Sequence, residues 1–346
     1  MSTVLLGTFF ENFWVLLVGK LGAIAAFIPA TAIGAIYAEL KISAHMQSRI
    51  GPYFAGGRYG WAQPLADGFK FFQKEDLVPD EADSPVYKMA PYVVLAATVA
   101  TFVIIPFNPV LIVQDLDLGL FYLLAISSLG TIGVLMAGWS SANKYSLIGG
   151  LRAAGQLIAY ELPLVLAAVG VAIQAGTLSL AGIVEAQMEP VWTFGSFEVT
   201  LPFVLSGQII GFLIFVTASL AELTRTPFDM PIAESELVMG YLTEYSGFRF
   251  ASFFLAEYAG MISLSAIAST LFLGGYWAPG LSGDLLNWVG PFVLMGKVAV
   301  LVFIFIWLRW TFPRLREDQL QSLAWRWLIP LALANIMVTG IMKVAF

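Results

Sequence analysis

Long apolar runs alternate with polar connections along the whole chain, and each run approaches the ~20 residues a helix needs to cross a bilayer. The pattern predicts eight transmembrane helices, at 12–38, 90–113, 118–141, 156–177, 200–221, 251–275, 287–308 and 325–344. An even number of spans places both termini on one side. The first run, Phe13–Tyr37, is too long for a signal-peptide core and lacks a basic flank, so it reads as a retained span. No internal repeat stands out. The predicted fold class is an all-α polytopic membrane protein: one integral membrane domain over 1–346, with large loops at 41–89 and 222–250.

The first loop carries a pattern of its own. Pro64 suits a first helical turn, and Leu65, Phe69 and Phe72 recur at helical spacing while Asp67, Lys70 and Lys74 take other positions. This predicts an amphipathic helix lying along the membrane interface; a surface helix that covers the bundle has the same pattern.

Charge then orients the bundle. Of the 17 Lys and Arg residues, only Lys20, Lys297 and Lys343 lie outside the four connections 41–89, 142–155, 222–250 and 309–326. Basic loops remain on the cytoplasmic side or its equivalent, so those connections face that compartment and both termini face the other. The composition agrees, with 59% hydrophobic and 12% charged residues, about half the charged fraction of a soluble domain. No Cys is present, which excludes cysteine-ligated iron–sulfur clusters and thiol nucleophiles. A single histidine, His45, excludes a pair of haem-ligating histidines within the chain and reads as a surface residue. If the protein works in a redox system, it does not carry the electrons itself, and no metal site or catalytic group is predicted.

Acidic residues are the candidate chemistry. Glu222, Asp229, Glu234, Glu236 and Glu244 crowd the second loop, where Pro227 and Pro231 force extended or turned backbone. Composition alone reads them as solvated. Glu161, at the head of the fourth span, and Glu257, two turns into the sixth, change that reading. An ionisable side chain in a span costs about 2.5–3.5 kcal/mol on insertion scales and normally faces the bundle interior or a wet cavity. Together Glu161, Glu222, Glu234, Glu236 and Glu257 suggest an acidic funnel entering the membrane from the basic side. Lys297, in the seventh span, is its natural cationic partner or continuation. Lys20 is near enough to an edge to snorkel.

Three ordered motifs carry a family resemblance. The first is Gln47-Ser48-Arg49-Ile50-Gly51-Pro52, continued by Gln63-Pro64-Leu65-Ala66-Asp67-Gly68-Phe69-Lys70. The second is Trp139-Ser140-Ser141-Ala142-Asn143-Lys144-Tyr145, with Arg152 and Tyr160-Glu161. The third is Ala221-Glu222-Leu223-Thr224-Arg225-Thr226-Pro227-Phe228-Asp229, followed by Glu234-Ser235-Glu236-Leu237. Over essentially its whole length the chain resembles a family within respiratory complex I, the quinone-site membrane subunits of proton-translocating NADH–quinone oxidoreductase.

That resemblance implies a subunit that binds no cofactor and frames the entry and tunnel for quinone, the substrate. It implies that Arg49, Asp67, Lys70, Arg225, Phe228 and Asp229 line or adjoin the quinone cavity, and that the five glutamates begin an acidic path. The implied partners are iron–sulfur and quinone-site peripheral subunits at the basic-side loops, small membrane subunits, antiporter-like pumping subunits and the lipid bilayer. Nucleic acid is not among them. An energy-converting membrane, such as the bacterial plasma membrane, is the implied location. Three positions depart from the family pattern: Leu40 replaces a common arginine, Ile232 replaces a glutamate, and Tyr53-Phe54-Ala55 replaces an Asn-containing run. A relative in a ferredoxin-, F420- or hydrogen-linked complex remains an alternative, and an independent ion transporter a more distant one.

Overall fold

Asn143 shows how local chemistry sets the helix ends. Its side chain accepts the Tyr145 backbone N–H at 2.8 Å, an N-cap that starts a helix at Lys144 rather than at the expected 156. Most of the basic connection 142–155 is therefore helical. The first helix likewise runs on to Met46 instead of ending at 38, because its late charges find partners. Lys41 Nζ donates to Pro52 O at 2.5 Å, and Glu39 joins the ion pairs described below.

The computed structural model describes residues 13–190, 192–194, 197–281 and 283–345. Its helices are α1 (Phe13–Met46), α2 (Gln63–Gln73), α3 (Ser84–Thr101), α4 (Gly119–Ser140), α5 (Lys144–Ala175) and α6 (Leu180–Met188). They continue as α7 (Ile209–Glu222), α8 (Glu234–Leu237), α9 (Gly247–Phe272), α10 (Asp284–Thr311), α11 (Glu317–Ser322) and α12 (Ile329–Ala345). A single π turn, Leu323–Leu328, joins α11 to α12. The described strands, β1 (Trp192–Phe194) and β2 (Phe197–Val199), form one antiparallel hairpin with Trp192 opposite Val199. The class is otherwise helical, as the apolar pattern predicts.

Among the described residues, seven helical stretches are long and apolar enough to cross a membrane: Leu17–Met46, Ser84–Ile104, α4, α5, α9, α10 and Glu317–Ala345. The fifth expected span, 200–221, is shorter. Pro202 and Gly207, the latter at φ +116°, keep 200–208 in hydrogen-bonded turns, and only α7 is helical. Its 14 residues rise about 21 Å, short of the ~30 Å hydrocarbon core. The second span also ends earlier than expected. Asn108 turns the chain by accepting the N–H groups of Val110 and Leu111, between Pro106 and Pro109.

α4 packs against α3 and α5; α5 packs in turn against α7 and α12, and α9 against α1, α3 and α10. Small residues set these distances. Gly138 and Gly150 put the α4 and α5 backbones in contact. The main core gathers Tyr160, Leu164, Phe215, Phe272 and Phe305 among buried aliphatic side chains. α2 packs its Phe71 and Phe72 against Phe250 and Phe248 at the start of α9. Leu65, Phe69 and Phe72 nevertheless keep large exposed surfaces.

Candidate functional site

The turn after α7 is built to bury one arginine. Leu223, Thr224 and Arg225 close it with N–H bonds back to Ser219, Ala221 and Leu220. The Gln156 side chain, from α5, donates to Ala221 O at 2.8 Å and Phe228 O at 2.7 Å, so one amide holds both sides of the turn. Arg225 ends up 2% exposed. Its Nη1 donates to Glu39 Oε2 at 2.8 Å, and its Nη2 lies 2.9 Å from Glu257 Oε1. The guanidinium sits over the Tyr258 ring, 4.7 Å from its centroid. Arg309, at the end of α10, pairs with the other oxygen of Glu39. Four charges from α10, α1, the second loop and α9 thus alternate in sign. Taking them out of water costs several kcal/mol per ion, and mutual pairing offsets that cost.

Glu257 also faces a cavity of about 140 Å³ inside the bundle, and Glu222 lines the same space. Its walls come from α3, α4, α5, α7 and α9, and include the hydroxyls of Thr98, Thr101, Ser127, Thr131 and Ser263. Thr101 and Ser263 share a hydrogen bond at 2.6 Å. The rest of the lining is mostly apolar. Glu161, half-buried on α5, is within electrostatic reach of Glu222. Glu161, Glu222 and Glu257 are therefore brought together; Arg225 stands behind them rather than on an open tunnel wall.

The remaining expected residues fall elsewhere. Glu236 is at the surface, 2.8 Å from Arg152 and 3.6 Å from Arg314, and these guanidinia hold its carboxyl below the ordinary value. The pairs border a cleft of about 670 Å³ between the second loop and the 314–321 segment. Glu234 opens α8, and its side chain lies outside the described residues. Phe228 is buried edge-on against Tyr160, with ring centroids 5.2 Å apart, and Asp229 is half-buried beside it. Arg49 and Lys70 make their contacts within the first loop, to Gln47 and Asp67. Lys297 pairs with no carboxylate among the described residues. Its Nζ donates to the carbonyls of Leu273, Gly275 and Trp277 at 2.6, 2.8 and 2.6 Å, closing the end of α9.

Residues 19–340 match the model of the family described as NADH dehydrogenase. The chain belongs to that family. NADH dehydrogenase relatives include the H subunit of the NADH-quinone oxidoreductase of Bacillus cytotoxicus, 47% identical over 90% of this chain and 89% of the relative. The H subunit from Geobacillus kaustophilus is 45% identical over 94% of each chain, and that from Bacillus mycoides 47% identical over 90% and 89%.

Three members of the site are not among the residues expected from sequence: Glu39, Tyr258 and Arg309. Charge at Glu39 and Arg309 ends the apolar runs and so assigns both residues to connections. Both helices continue through them. A carboxylate directly after an apolar run that lacks a stop signal is the pattern that finds Glu39. Among the described residues no group of three or more His, Asp or Glu stands where it would hold a metal ion.

Proposed function

We propose that this chain is the quinone-site membrane subunit of a proton-translocating NADH–quinone oxidoreductase. It frames the quinone entry and tunnel, binds no redox cofactor, and couples quinone reduction to proton translocation. The observation that carries this reading is the cavity shared by Glu222 and Glu257 in front of the buried Arg225, within a chain whose relatives are NADH-quinone oxidoreductase subunits.

In this reading Arg49, Asp67 and Lys70 from the first loop, and Arg225, Phe228 and Asp229 from the second, shape the quinone cavity without reacting. Electrons reach the quinone from iron–sulfur and quinone-site peripheral subunits docked on the basic loops. Reduction changes the charge in the cavity and shifts the 222–250 loop. Glu161, Glu222, Glu234, Glu236 and Glu257 then pass protons, or an electrostatic signal, toward small membrane subunits and antiporter-like pumping subunits. Lys297 stands apart from that path, its ammonium held by the carbonyls that close the end of α9. The basic loops face the cytoplasm of a bacterial plasma membrane or its equivalent, with both termini opposite. α2 lies in the membrane interface with Phe69 and Phe72 toward lipid.

The test combines gentle-detergent purification of the tagged chain with one substitution. Iron–sulfur and antiporter-like subunits should copurify, and Glu257→Gln should assemble normally while moving fewer protons per NADH oxidised. A nickel–iron catalytic subunit among the partners would transfer the chain to a hydrogen-linked complex. Normal pumping by Glu257→Gln would remove that residue from the path.

A further inference from the structure

We propose that Glu39 is a positioning residue for proton coupling: it competes with Glu257 for the Arg225 guanidinium, and Arg309 sets the balance of that competition. The inference rests on the role given to Glu257 above and adds two residues to it. The four charges form a neutral row, Arg309–Glu39–Arg225–Glu257, in which each inner member is shared. The two halves of the row are unequal. Arg225 Nη1 makes an aligned hydrogen bond to Glu39, whereas Nη2 meets Glu257 at 2.9 Å without hydrogen-bond alignment. The Glu39 side chain is 8% exposed and that of Glu257 is 25% exposed, on the cavity. Glu257 is thus the member open to a proton, and Glu39 is the fixed anchor.

A proton arriving at Glu257 from the cavity leaves the buried guanidinium with one carboxylate instead of two. Arg225 then draws on Glu39, which already serves Arg309. Arg309 is the member able to yield, because its side chain is 37% exposed and water can solvate it. It lies just before the 312–316 linker, whose Leu315 N–H bonds Pro227 O at 3.0 Å, two residues from Arg225. A charge change at Glu257 therefore reaches the linker and returns to the turn that holds Arg225. The titratable and charged groups facing Glu257 are Arg225, Tyr258, Tyr241 and, across the cavity, Glu222.

The experiment uses the whole complex in membrane vesicles and reads protons moved per NADH oxidised. Glu39→Gln leaves two arginines to one carboxylate and ties Arg225 to Glu257, so the ratio should fall to about half or less. The double variant Glu39→Gln with Arg309→Gln restores neutrality but not the competitor, so its ratio should stay as low as that of Glu39→Gln. A ratio unchanged in Glu39→Gln, or one recovered in the double variant, overturns the proposal, since a Glu39 that only balances charge is relieved when Arg309 is lost as well. If Glu39→Gln does not assemble, the double variant decides alone: impaired pumping by the assembled complex supports the competition, and normal pumping without Glu39 overturns it. Glu257→Gln is run beside them. If it pumps normally, the role given to Glu257 fails; if it does not pump and Glu39→Gln does, only the present inference fails.

Discussion

Gly149 on α5 meets Gly240 in the second loop backbone against backbone. A methyl group on Gly149 would lie 2.6 Å from the Gly240 Cα, and one on Gly240 would lie 1.7 Å from Pro231 O. Gly240 also holds φ +56°, a conformation that L side chains rarely adopt. Neither contact has a flexible side chain that could move aside. Gly149→Ala should therefore lift the loop from α5 at a cost of about 1–3 kcal/mol, and Gly240→Ala should cost more because backbone strain adds to the clash. Thermal unfolding of the purified complex, with limited proteolysis of 230–245, measures both. An unshifted melting temperature in Gly149→Ala would mean that the loop is not seated on α5.

The Arg152–Glu236–Arg314 cluster should give the same loop a pH dependence. Hydrogen bonding to Arg152, then the charge of Arg314, lowers the Glu236 pKa. A carboxyl whose folded pKa is depressed stabilises the fold above its unfolded value, about 4.3, and loses that contribution as pH falls through the folded one. Glu236 is 49% exposed, so solvent screens the pairs and the whole effect should stay below about 1 kcal/mol. Hydrogen exchange at 230–240 should rise modestly in Glu236→Gln at neutral pH, should rise in the unsubstituted protein with added salt, and should show no difference between the two once pH falls below the depressed folded pKa. A large neutral-pH effect that salt does not change would point to packing instead of charge.

Much of this architecture is legible in the sequence because lipid imposes a length and a composition on every span. Where apolar length is the only guide, the expected ends are misplaced. Asn143 caps α5 early, ion pairing lets α1 continue through Glu39, and Pro202 with Gly207 shortens the fifth span. The grouping of Glu161, Glu222 and Glu257 is readable, since charge in a span has few places to go. The partners of Arg225 are not, because Glu39 and Arg309 lie 186 residues and 84 residues away in the chain (225 − 39 and 309 − 225) and only tertiary packing joins them. Lys297 reads from sequence as a partner for carboxylates, but exposed carbonyls at the end of a helix attract a cation equally well.

Gln208, Asn335 and Thr339 form a buried polar contact between the start of α7 and α12. Asn335 Nδ2 donates to Gln208 Oε1 at 2.9 Å, and Gln208 Nε2 donates to Thr339 Oγ1 at 2.7 Å. Gly170 and Gly211 leave the room these side chains fill. Asn335→Leu removes the donor and crowds that space, so it should destabilise by about 1–3 kcal/mol. The pair Gln208→Leu with Asn335→Leu removes both polar partners and should be less harmful than the two single losses added together. A double-mutant cycle on thermal stability reads the coupling, and strict additivity would mean that the amides do not act on each other.

Lys297 separates two roles that charge alone cannot. An ammonium has three N–H donors and no acceptor, and here each donor can meet a carbonyl of the 273–277 segment. Removing it leaves three converging acceptors at the end of α9, at about 1–3 kcal/mol for each one that water does not reach. Lys297→Met should therefore lower the melting temperature of the complex and the amount assembled, while the complex that does assemble keeps its protons per NADH. A proton-carrying lysine predicts the reverse: near-normal stability with a reduced ratio. Lys297→Arg sharpens the comparison, because a guanidinium keeps the charge and several donors but does not release a proton at ordinary pH. Partial recovery of stability with an unchanged ratio would assign Lys297 to the end of α9. A stable Lys297→Arg complex that no longer pumps would return it to the proton path.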